Sequence, residues 1–203
     1  TTGPQDSHTA HFNALVRHNY IKAFLILTFT SVALFAVFMS FVPSIGVKDL
    51  IDMEHIGFIM SIAICVGGVL QIPFGRFADR HDRLGKLLQC SAGISVSMMA
   101  ILVLPFCPDF RALVLVGSFM GLGMGITAPA LSSISVNIGH KAGMGMWMGV
   151  FWSVMSAALV VAPITAGIIM DHLGVDSVFY SFGIAAFFAL LLSGYYMYRK
   201  GSH

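Results

Sequence analysis

Six stretches of the chain are nearly unbroken apolar runs, at about 21–43, 55–75, 87–106, 112–136, 143–170 and 177–198. None holds an Asp, Glu, Lys or Arg in its central part. About 20 mostly apolar residues suffice for a helix to cross a hydrocarbon core near 30 Å, so each run predicts one spanning helix. Basic and acidic residues segregate between the polar intervals. Six spans place both termini and the second and fourth intervals on one side, which carries Arg17, Lys22, Arg76, Arg80, Arg83, Lys86, Lys141, Arg199 and Lys200. The opposite side has only Lys48 and Arg111, against Asp49, Asp52, Glu54, Asp109, Asp171 and Asp176. Lys and Arg gather in cytoplasmic loops, so nine basic residues against two predict cytoplasmic termini. The expected location is a plasma or bacterial inner membrane. Tyr195, Tyr196 and Tyr198, just before Arg199 and Lys200, fit an aromatic belt at that surface.

Composition agrees with this pattern and excludes a soluble reading. The 203 residues are 57% hydrophobic and 10% charged, with a mean hydropathy of +0.87. A soluble domain carries roughly 25% charged residues to wet its surface; this chain must instead present its surface to lipid. A net charge of +2 is too mild to suggest nucleic acid. Cys65, Cys90 and Cys107 lack the spacing of a metal knuckle or redox pair and read as small core residues. The domain reading is a polar cytoplasmic tail or linker at 1–20 and a six-helix domain at 21–200. Residues 201–203, Gly201-Ser202-His203, read as a possible tag remnant.

The two halves of the domain, about 21–106 and 112–198, resemble each other. Each middle helix carries a Pro near its end, Pro73-Phe74-Gly75 in one and Pro163 followed by Gly167 in the other. An Asp-containing interval follows each. Three helices are an odd number, so equivalent intervals fall on opposite membrane sides, and one is basic (76–86) while the other is acidic (171–176). The expected fold is therefore an all-α membrane protein built as two inverted three-helix repeats, a device with which transporters rock two similar bundles about a midplane site.

The second interval, 75–86, reads GRFADRHDRLGK. Gly75, Ala78, Asp79, Arg80 and Arg83 fall in the register of G-x-L-A-D-R-x-G-R-R/K, the signature between the second and third helices of the major facilitator superfamily, which this chain resembles. Phe77, Asp82 and Leu84 depart from it. Asp tolerates a left-handed backbone better than most residues, so a tight turn is expected to survive at Asp82. Gly75 lets another helix approach closely, and Asp79 is suited to accept from Arg80, Arg83 or a helix N-terminus. The resemblance implies that this charge network is a gating loop that latches two transporter halves together and breaks during transport.

Along the fifth helix, Gly149, Ala158, Ala162-Pro163 and Ala166-Gly167 partly follow a drug-antiporter register, G-x8-G-x3-G-P-x2-G-G, with three glycines replaced by alanine. Pro163 removes a backbone hydrogen bond and is a candidate kink. Gly117, Gly121 and Gly125 on the fourth helix, and Gly145, Gly149, Ser153 and Ala157 on the fifth, form small-xxx-small stripes expected to pack helix on helix. The fourth helix lacks the Arg that the first half of many facilitator transporters carries, with Gly117 near that position. Together with the polar start, this reads as a C-terminal half, while the antiporter-like register on the fifth helix resembles that of first halves and argues the other way.

Intramembrane charges mark proton relays and ion pathways, and the spans contain none. A pathway through this half is then expected to be lined by apolar and neutral polar groups, with Phe29, Ser40, Gln71, Asn137, Trp152 and Ser156 as candidates. The 13 methionines suit a polyspecific lining, although gap-filling between helices explains them as well. No metal or cofactor is implied. All eight His lie in tails, intervals or helix ends, against a membrane haem protein, and no Ser-His-Asp set or intramembrane Asp pair suggests an enzyme. The resemblance implies alternating-access transport, with export of a small amphipathic organic molecule as the leading expectation. The partners implied are the lipid bilayer, a small-molecule substrate and a second six-helix half. That half is supplied by another chain, by a missing part of the same protein or by a homodimer. The rival reading is a non-transporting, facilitator-like module that binds a partner or organises an assembly.

Overall fold

The computed structural model describes residues 19–48, 53–107 and 109–198. Six helices follow in order: α1 Asn19–Lys48, α2 Met53–Arg80, α3 Arg83–Val103, α4 Phe110–Ala142, α5 Met144–Leu173 and α6 Val175–Tyr198. A short 3₁₀ turn, Leu104–Phe106, extends α3. Each of the six is long and apolar enough to cross a membrane, and the described residues contain no strand. The expected tail lies outside the described residues except for Asn19 and Tyr20, which already belong to α1. Residues 199–203 lie outside them as well.

The helices overrun the apolar segments that predict them. α2 continues through Arg80 and α4 through Ala142, well beyond 75 and 136. Extending an existing helix costs little, since each added residue gains a hydrogen bond without a new nucleus, and Arg and Lys are good helix formers. The 75–86 interval is therefore not a loop. Only His81 and Asp82 stand outside a helix there. Pro43, Pro73, Pro129 and Pro163 all sit inside continuous helices. Spanning helices accommodate proline because neighbouring helices and Ser or Thr hydroxyls take up the freed backbone groups.

Two turns are single glycines. Gly143 (φ 95°) joins α4 to α5, and Gly174 (φ 86°) joins α5 to α6. Only glycine takes this backbone region without a Cβ penalty, and the Gly174 N–H closes α5 by donating to Met170 O at 2.9 Å.

The two repeats are exchanged rather than set side by side. α4, the first helix of the second repeat, packs most extensively against α2 and α3. α1, its counterpart, packs against α5 and α6. Neighbours within one repeat, α1 with α2 and α2 with α3, touch little. The α2–α4 crossing rests on small residues. A Cβ at Gly121 would strike Ala63 O, one at Gly117 would lie 3.3 Å from Ile59 O, and one at Gly125 would lie 3.0 Å from Gly67 O. The α3–α4 crossing is equally close, where Cβ atoms at Gly93 and Gly123 would strike the Thr127 and Ser97 hydroxyls. In lipid no hydrophobic force drives helices together, so close backbone approach and van der Waals contact supply the association. A second cluster ties α1 to α4 and α5. Trp147, fully buried, donates Nε1–H to Ser135 Oγ at 3.0 Å, and the Phe24 ring lies 5.9 Å from Trp147 and 5.8 Å from Phe151.

Candidate functional site

The α2–α3 turn is built by two helices that nearly meet. His81 N–H donates to Ala78 O (3.3 Å), and Lys86 N–H reaches back to Asp82 O (3.0 Å), so the turn closes through its backbone. Asp82 is the N-cap of α3 with φ −67° and ψ 175°, and its side chain makes no cap hydrogen bond. Its backbone is extended, so the left-handed turn expected there is not formed; an extended N-cap is open to any residue. Ala78 is fully buried, whereas Asp79, Arg80 and Arg83 are exposed. A Cβ on Gly75 would meet Pro129 Cβ of α4 at 3.7 Å, ordinary van der Waals contact. Phe77 and His81, one turn apart, stack at 4.0 Å, and His81 Nδ1 is 2.8 Å from Phe77 O. Asp79 makes no hydrogen bond or ion pair among the described residues.

Beneath the turn runs a polar seam that the apolar runs conceal. Lys86, 7% exposed, donates Nζ to Ser133 Oγ of α4 at 2.7 Å. Gln89, 5% exposed, donates Nε2 to Phe74 O of α2 (3.1 Å) and to Ile126 O of α4 (3.0 Å), pinning three helices with one amide. Its Oε1 is buried without a partner. Both residues lie three apart on one face of α3, a spacing legible in the sequence, but the apolar neighbours gave no reason to single them out.

The six candidate lining residues, Phe29, Ser40, Gln71, Asn137, Trp152 and Ser156, are all exposed, on α1, α2, α4 and α5. The structure does not gather them into one pocket. Phe29 lines a cleft of about 450 Å³ between α1, α5 and α6, together with Thr30, Phe182 and Ala186, and none of the other five lines it. Among the described residues the Trp152 ring pairs with that of its neighbour Phe151, at 6.2 Å. The small-residue stripe of α5 is different from that of α4. Gly145, Gly149, Ser153 and Ala157 are all exposed, and nothing lies within 4 Å of a Cβ placed at Gly145, Gly149 or Gly167. No described residue covers that face. Pro163 sits nearby in unbroken helix, where the Thr165 hydroxyl donates to Val161 O (2.9 Å) and Ala162 O (3.0 Å). α2 and α6 are likewise little buried, each with 22% of its span inside the structure and 17% for α5, against 56% for α1. Among the described residues no group of three or more His, Cys, Asp or Glu is placed to hold a metal ion. Cys90 and Cys107 are buried, and Cys65 is exposed.

Six apolar spans folded as two exchanged three-helix repeats, with a charged turn at one end, define a multi-pass membrane protein of the transporter class. More particularly, the chain belongs to the Major Facilitator Superfamily, whose sequence profile matches residues 24–202. Monocarboxylate transporter 10 of Homo sapiens is 30% identical over 128 residues, which is 61% of this chain and 25% of that protein. The Danio rerio protein of the same name is 31% identical over 125 residues, 59% of this chain and 25% of its own length. An uncharacterized MFS-type transporter of Methanocaldococcus jannaschii is 26% identical over 139 residues, covering 68% of this chain and 35% of that protein. The aligned part of the chain thus spans between 25% and 35% of these curated relatives.

Proposed function

We propose that this chain is one half of an alternating-access transporter for a small organic solute, paired with a second six-helix half across the open face of α2 and α5. The observation that carries this reading is the α5 stripe. Gly145, Gly149, Ser153 and Ala157 repeat the small-xxx-small pattern that α4 uses against α2, yet they face open space. A stripe of that kind serves close helix packing, and six helices form only one wall of a central pathway. The second half is another part of the same polypeptide, another chain or a second copy. The relatives' lengths favour the first of these.

In this reading the basic end faces the cytoplasm, and Asp79, with Arg80 and Arg83, latches the two halves there. The pathway runs along the exposed positions Gln71, Asn137, Trp152 and Ser156. A lining of uncharged groups, aromatic and neutral polar, suits an amphipathic solute moved outward. The printed name of the matching animal relatives adds monocarboxylates as probes worth including. Rocking of the two bundles then exposes the lining to each side in turn, and release of the Asp79 contacts accompanies the swing. The test is flux in proteoliposomes holding the complete protein, with amphipathic dyes and short monocarboxylates as probes. Asp79→Ala and Arg83→Ala are expected to slow flux about tenfold, the scale of one charged hydrogen bond, with insertion unchanged. Undiminished flux in both variants would remove the latch role, and no flux of any probe by the wild type would favour the non-transporting module.

A further inference from the structure

Lys86 is a buried charge that the gating and pathway readings leave unused. It lies in the first turn of α3 and is 7% exposed, and its ammonium makes a single hydrogen bond, to Ser133 Oγ. Among the described residues it has no carboxylate partner. An ammonium carries three protons, so two of them are unspent here. A buried cation without an anion is costly, and the surroundings raise that cost. Arg83 stands three residues earlier, on the same face of α3. The N-terminus of α3, at Arg83, brings the positive end of a helix dipole. The acids nearest in sequence do not compensate. Asp79 and Asp82 are exposed and form no ion pair among the described residues, and the Asp82 side chain leaves the helix end uncapped.

The position of the ammonium tells where an anion would approach. Ser133 is half-buried on α4, beside the exposed Ser132, Val136 and Asn137. The Lys86 stem therefore crosses the α3–α4 contact to Ser133, whose neighbours one turn on, Val136 and Asn137, are exposed. One turn deeper, Gln89 holds α2, α3 and α4 together through Phe74 O and Ile126 O, so the wall that carries the charge is fixed.

We infer that Lys86 and Ser133 form an anion-binding subsite at the basic end of the bundle, taking the anionic oxygens of a carboxylate or phosphate. Two Lys86 protons and the Ser133 hydroxyl supply the donors, and Asn137 borders the approach. The ligand is either a soluble organic or inorganic anion or the phosphate of a phospholipid headgroup. The inference builds on the open face as a pathway, but it is read by binding at equilibrium, so a failure of transport and a failure of the subsite are separable.

The test uses the complete protein, purified and stripped of lipid in detergent and titrated with benzoate, with inorganic phosphate and with the uncharged control benzamide. Benzoate or phosphate is expected to bind the wild type. Lys86→Gln weakens that binding about ten- to a hundredfold, on the scale of a lost charge-assisted hydrogen bond. Lys86→Arg retains most of it, Ser133→Ala weakens it less, and benzamide is indifferent to all three. If neither soluble anion binds, native mass spectrometry of protein extracted from phosphatidylglycerol-containing bilayers decides. Retention of the lipid by wild type and Lys86→Arg, with loss in Lys86→Gln, supports the headgroup as ligand. Equal anion binding by wild type and Lys86→Gln overturns the subsite, as does absence of both soluble-anion and lipid binding. Should Lys86→Gln fail to fold, Ser133→Ala against wild type carries the same comparison.

Discussion

At the scale of residues, identical chemistry meets opposite fates according to the face it occupies. Gly121 and Gly149 both belong to small-xxx-small stripes, but a Cβ at Gly121 would strike the Ala63 carbonyl while one at Gly149 would meet nothing. Gly121→Val is accordingly expected to destabilise the bundle by about 1–3 kcal/mol, the usual cost of overpacking. Gly149→Val is expected to leave this half unaffected and to weaken only its association with a second half. Thermal unfolding in detergent, read beside the size of the complex, checks both; equal destabilisation by the two would contradict the assignment of faces. The same contrast explains what the sequence concealed. Gln71 and Gln89 are equally plain as isolated amides in apolar runs, yet Gln71 is exposed and Gln89 is buried against two carbonyls. Periodicity says which residues share a face, and only the neighbours say what that face touches. Lys86 was legible as a positive charge at the membrane edge but not as a buried one, because its burial is made by α4, nearly fifty residues away in the chain.

At the scale of elements, the spans were legible because the bilayer imposes a length on every crossing. Their ends were not. Hydropathy marks where lipid stops, while the helix continues for as long as its backbone bonds are cheap to extend, as α2 and α4 do. Turn chemistry was legible at Gly143 and Gly174, each just after a Lys or His in the last turn of a helix. These turns carry a prediction. Gly143→Ala must hold φ near 95°, so it is expected to cost about 1–2 kcal/mol. Asp82→Gly replaces an extended N-cap that makes no side-chain bond, and the expected change is a few tenths of a kcal/mol. Denaturation of the two variants by heat in matched detergent measures the difference. A large gain from Asp82→Gly would mean that the turn requires a left-handed residue after all.

At the scale of the whole molecule, the exchange of helices between repeats makes the fold one cooperative body. α1 and α4 each lie against the other repeat, so neither three-helix unit buries its small-residue faces alone. That arrangement also leaves α2, α5 and α6 the least buried of the six spans, with α5 the lowest. A superfamily match over residues 24–202, on a chain whose aligned part covers only a fraction of its relatives, fits one six-helix half of the superfamily fold. The inverted repeat could be read from the sequence because charge alternates with topology. The identity of the solute could not, because the exposed candidates Ser40, Gln71, Asn137 and Ser156 are neutral and are not gathered around one cavity.

The central claim is that this half alternates between two accessible states, and Ser156 is the place to test it. In the complete protein, with Cys65, Cys90 and Cys107 replaced, Ser156→Cys is labelled with a membrane-impermeant maleimide from each side of sealed vesicles. The account predicts labelling from both sides, with rates that shift in opposite directions when Asp79→Ala releases the latch. Labelling from one side only, indifferent to Asp79, would contradict it.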